Sequence, residues 1–74
     1  NNEFMLLQSQ YFADRLVDEF PLKTTDQIRR AFELALSRPP NDRELQIATD
    51  LVQRSGLFTL CRSLLNSNEF VYVD

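Results

Sequence analysis

Histidine is absent from this chain of 74 residues, and cysteine and glycine occur once each. Each gap removes a class of chemistry. Histidine is the side chain that titrates nearest neutral pH, so acid and base catalysis loses its usual carrier. Ser9, Ser37, Ser55, Ser63 and Ser67 likewise lack a base to activate a hydroxyl nucleophile. No catalytic residue is expected, and the chain reads as a non-enzyme. A phosphate-cradling loop needs several glycines, and Gly56 stands alone. A single thiol, Cys61, cannot close an intrachain disulfide, and with no second cysteine and no histidine after it there is no haem-attachment signature. Cys61 lies among Leu57, Leu60, Leu64 and Leu65, where packing is the expected role and a reactive or intermolecular thiol the alternative.

A basic excess is missing too. Eight Lys and Arg stand against eleven Asp and Glu, for a net charge of −3 and a pI near 4.8. Arg29, Arg30 and Arg38 are interleaved with acids, so no face is basic enough to approach a phosphate backbone, and no nucleic-acid partner is expected. No apolar run approaches the roughly 20 residues that span a bilayer, and no basic start followed by an apolar stretch resembles a secretion signal. The chain as given is expected to be soluble, with no membrane insertion. Asp14 with Asp18, and Asp42 with Glu44, have spacings that a metal or an acid/base pair could use, but helix surfaces and helix starts carry such residues routinely. They are expected to be solvated, with no metal and no cofactor.

What is present is apolar side chain, 43% of the chain and spread along it, which is the composition of a folded protein. A chain this short buries roughly 60% of the surface its unfolded form exposes, so helix packing has to supply most of its stability. At about 100° per residue, Met5, Phe12, Ala13, Leu16 and Phe20 share one side of a helix over residues 3–19, which Pro21 closes. Phe4, Leu7 and Tyr11 form a second apolar stripe on nearly the opposite side. Thr24 with Gln27 has the spacing of a capping box and opens a second helix, in which Ile28, Ala31, Phe32, Ala35 and Leu36 face inward while Asp26, Arg30, Glu33 and Ser37 face outward. Arg38, Pro39 and Pro40 end it with a short, stiff link.

Asn41 and Glu44 form a second capping box, with Pro40 and Leu45 placed for a hydrophobic staple, and a third helix follows with a buried arc of Leu45, Ile47, Ala48, Leu51 and Val52. Glu44 falls inside that arc by phase, and two readings of it stand: the cap alone, or the cap together with an ion pair to Arg38 that fixes the angle between helices. Gly56 is the residue type that takes the left-handed conformation at a helix end. Leu57, Phe58, Leu60, Cys61, Leu64 and Leu65 then make the inner face of a fourth helix, with Thr59, Arg62, Ser63 and Asn66 outward. The expectation is an all-α domain over residues 1–74, a compact four-helix arrangement with short loops and sequential neighbours roughly antiparallel.

The chain then closes on Phe70, Val71, Tyr72 and Val73, an unusually apolar end. These four could run extended, or form one further turn capped by Asn66 with Glu69. Packed back on the domain as an apolar tail, they would cover Phe4, Leu7 and Tyr11; an external partner covering that stripe is the other reading.

Ile28 through Leu45 is similar to a helix, "LGRPP" turn and helix start found near the C-terminus of large planctomycete proteins. Leu64 through Asp74 resembles the terminal "LLNSNEFLYVD" of those proteins, and Asn2 through Leu16 resembles their "NSPFMLEQARAFAERL" segment. The departures are Ser37 in place of a usual glycine and Phe32 in place of a frequent tyrosine. Ser37 suggests that the turn does not strictly need a positive φ, and Phe32 removes a hydroxyl that could have served a site. These proteins join planctomycete-specific domains of unknown function, often with a cytochrome-c-like domain. The resemblance implies that the chain is the C-terminal domain of a larger, exported bacterial protein of unassigned activity, periplasmic or envelope-associated, with any haem centre upstream. It implies no catalytic residue here.

The function expected from all this is a helical packing or interaction domain, with Phe4, Leu7, Tyr11, Phe70 and Tyr72 in the contact and Arg38, Pro39, Pro40, Asn41 and Glu44 forming the structural turn and cap. Its partners would be upstream domains of the same polypeptide, or a second copy. The alternative is one wall of an enzyme or redox protein whose centre lies upstream.

Overall fold

The computed structural model describes residues 3–73, with side chains for 3–67, and its architecture is all-α: α1 (Glu3–Glu19), α2 (Thr24–Leu36), α3 (Asp42–Ser55) and α4 (Leu57–Val73). Among the described residues there is no strand, and no helix is long and apolar enough to cross a membrane. The links are residues 20–23, residues 37–41 and Gly56 alone.

α4 is the hub. It packs on each of the other three helices, while α1 and α3 do not touch among the described residues. The core gathers Ala13 and Leu16 of α1, Ile28, Ala31, Phe32 and Ala35 of α2, Ala48 of α3, and Leu60, Cys61 and Leu64 of α4. Four of these ten are alanine or cysteine on α2, α3 and α4, and such small side chains let helix axes approach closely. The amphipathic periods of α1, α2 and α4 place those residues inward as expected.

Ser9 is also fully buried, in the middle of the inner face of α1. Its phase puts it there, and its hydroxyl is satisfied by donating to the Met5 carbonyl at 2.8 Å. No described buried side-chain N or O lacks a partner.

Five local expectations need correction. α2 begins one residue earlier than a Thr24 cap requires: Lys23 occupies the cap position without a side-chain bond. Gln27 therefore sits one residue too far into the helix to close a capping box, and its Nε2 donates instead to the Phe20 carbonyl at 2.7 Å, sealing the end of α1. Ile47 lies at the edge of the α3 arc and is 55% exposed. Ser37 does adopt a positive φ, 60° with ψ 28°, so the turn after α2 requires the left-handed conformation although glycine is absent. Gly56 has φ 91° and ψ 163°, an extended mirror-image conformation and not the left-handed helical one. That conformation turns the chain at one residue, with the Gly56 N–H donating to the Val52 carbonyl and Thr59 Oγ1 donating to the Ser55 carbonyl across the joint.

The backbone of α4 continues to Val73, so Asn66 lies within the helix and caps nothing, and residues 70–73 are helical and not extended. The tail packed on α1, with the side chains of Glu69, Phe70, Val71, Tyr72 and Val73, lies outside the described side chains.

Candidate functional site

The best-defined polar structure is the elbow between α2 and α3. Two prolines remove two backbone donors from the link and restrict its torsions, leaving Asn41 extended at the cap of α3 with φ −77° and ψ 175°. The Asn41 side chain accepts from the Glu44 N–H at 2.7 Å, and the Glu44 carboxylate accepts from the Asn41 N–H at 3.0 Å. Both halves of the capping box are present.

The Arg38 guanidinium then grips the same carboxylate with two parallel bonds, Nη1 to Oε1 and Nη2 to Oε2, each 2.8 Å. Cap and ion pair coexist. The Arg38 guanidinium first, and the Asn41 N–H second, hold the Glu44 carboxyl down at about 2, while Arg38 is raised in turn. Arg38, Pro39, Pro40, Asn41 and Glu44 are thus brought together as a closed clasp, in which both Glu44 carboxylate oxygens and the Asn41 Oδ1 accept bonds from within the elbow.

A second charge chain links α1 to α2. Glu19 accepts from Arg15 Nε at 2.8 Å and from Arg30 Nε at 2.9 Å, and Arg30 Nη1 lies 3.5 Å from Glu33. Arg15 and then Arg30 hold the Glu19 carboxyl below its ordinary value. The contact of Arg15 with Glu19 is readable from their spacing of four; the bond from Arg30 depends on how α1 and α2 pack, which no local pattern shows.

The outer face of α1 carries the apolar stripe. Phe4, Leu7 and Tyr11 are 68%, 49% and 59% exposed, on the side of α1 turned away from the buried line of Met5, Ser9 and Leu16. The stripe is a ridge with a groove on each flank. One groove is lined by Glu3, Leu6, Leu7, Gln10 and Phe58, the other by Gln8, Tyr11, Phe12, Arg15, Leu34, Ala35 and Leu65. Phe58 on one flank and Leu65 on the other show that α4 crosses α1 obliquely from beneath. The structure therefore brings Phe4, Leu7 and Tyr11 into one surface; Phe70 and Tyr72 fall outside the described side chains.

Cys61 is fully buried, and burial pushes its thiol up to about 12, which keeps it protonated at neutral pH. Among the described residues no group of three or more Cys, Asp or Glu side chains is placed to hold a metal ion. Comparison with protein-family models, with curated proteins and with solved structures gives no match.

Proposed function

We propose that this chain is a non-catalytic helical interaction domain that packs through the outer face of α1 against upstream domains of the same polypeptide. The observation that carries the reading is the ridge of Phe4, Leu7 and Tyr11, three large apolar side chains on successive turns that contribute nothing to the core. Scattered exposed apolar residues need no explanation, whereas an aligned row on a helix already fully anchored by its other face does. The resemblance of residues 28–45 and 64–74 to the C-terminus of large planctomycete proteins supplies the setting: an exported bacterial parent of unassigned activity, closed at its C-terminus by this domain.

In the parent, a photo-crosslinking residue placed at Phe4, Leu7 or Tyr11 is expected to trap other parts of the polypeptide, and one placed at the exposed Arg43 or Asp50 of α3 is not. Equal yields at the two sets would reject the reading.

The second reading, one wall of an enzyme or redox cleft, draws support from the groove between α1, α2 and α4. Its floor is apolar through Phe12, Leu34, Ala35 and Leu65, with Gln8, Tyr11 and Arg15 at the rim, the mix that lines ligand clefts. Crosslinks from Tyr11 to a bound cofactor or substrate analogue, with none from Phe4, would favour it.

A further inference from the structure

The seam on the outer face of α1 does not stop at Tyr11. Phe4, Leu7, Tyr11, Asp14 and Asp18 follow one another at alternating spacings of three and four, the heptad spacing by which two helices pair along their length. The first three positions are apolar and the last two are carboxylates, over about 21 Å of helix at 1.5 Å per residue.

The seam carries Asp14 and Asp18 and is flanked by Glu3, three acids of a chain with a net charge of −3. All three are exposed, and among the described residues none has a cationic partner; Asp14 accepts from Gln10 Nε2 at 2.9 Å. Arg15, the one basic residue of α1, is engaged with Glu19.

We infer that the occupant of this seam is a basic amphipathic helix, with apolar side chains over Phe4, Leu7 and Tyr11 and Lys or Arg over Asp14 and Asp18. The inference rests on the proposed reading of the face as a docking surface. A second copy fits it poorly. Parallel pairing sets Asp14 against Asp14 and Asp18 against Asp18, and antiparallel pairing that stacks Phe4 on Tyr11 brings Glu3 close to the other copy's Asp14. Like charges at such positions disfavour pairing, while cations there add both attraction and register.

The test uses the 74-residue chain and three synthetic helical peptides with one leucine seam, differing only in Lys, Gln or Glu at the remaining seam and flank positions. The Lys peptide is expected to bind at least about tenfold more tightly than the Gln peptide, to lose that preference in about 1 M salt, and to shift the NMR amides of Phe4, Leu7 and Tyr11. Asp14→Asn with Asp18→Asn is expected to abolish the preference without moving the thermal midpoint. Equal binding of Lys and Gln peptides at this face overturns the basic partner and leaves the docking surface standing. Failure of all three to shift those amides overturns the docking surface as well. A concentration-dependent dimer abolished by Leu7→Ser overturns the inference in favour of a second copy.

Discussion

Ser37 and Leu22 hold φ at 60°, a conformation that L-residues with a Cβ adopt at a cost of about 1 kcal/mol or more. At Ser37 the return is a closed helix end, since its N–H donates to the Glu33 carbonyl at 3.0 Å. Its exposed side chain makes no bond that substitution would remove. Ser37→Gly is therefore expected to stabilise the fold by about 0.5–1 kcal/mol, seen as a higher urea midpoint with unchanged slope. A lower midpoint would mean that the hydroxyl does something the geometry does not show. Serine in place of glycine does not report the torsion at position 37, because residue type reports preference, while the path from Leu36 to Pro39 sets the φ of 60° that is adopted.

At the scale of elements, the α2–α3 elbow is the most tightly specified connection, and its pH behaviour follows from Glu44. A carboxyl lowered from 4.5 to about 2 on folding contributes stability that is complete above pH 4.5 and is lost as pH falls toward 2. Glu44→Gln keeps an acceptor for the Asn41 N–H and removes the charged pair with Arg38. The variant is expected to be less stable at pH 7 and to converge with the parent chain at pH 2. Melting curves that stay parallel across that range would show the pair to be energetically silent. The Glu19 carboxyl is also held below its ordinary value, by Arg15 and Arg30, in both proteins, so only the difference between the curves reports on Glu44. This elbow was legible because it is local: proline, cap and acid lie within seven residues. Gln27 was not, because its partner is the Phe20 carbonyl, presented by a link whose path depends on how α1 and α2 dock. Ile47 was misplaced for a related reason: period alone cannot say where the edge of a buried arc falls when only Ala48 of α3 is fully covered.

For the whole molecule, the two faces of α1 have separate duties, and mutation should divide them. Leu16→Ala removes a fully buried side chain and is expected to cost about 3 kcal/mol, a large part of the roughly 5–10 kcal/mol typical of such a domain. Phe4→Ala on the same helix is expected to change stability by no more than about 0.5 kcal/mol. Denaturant unfolding of the two variants checks both, and a Phe4 cost approaching that of Leu16 would mean the ridge is covered within the domain. Gly56 bears on how a chain like this can change length over evolution. With one residue between α3 and α4, the rotational phase of α4 is locked to that of α3. One extra helical residue there would turn α4 by about 100° and swing Leu60, Cys61 and Leu64 off the core. An insertion at this joint is therefore expected to be tolerated far less well than one in the link over residues 20–23.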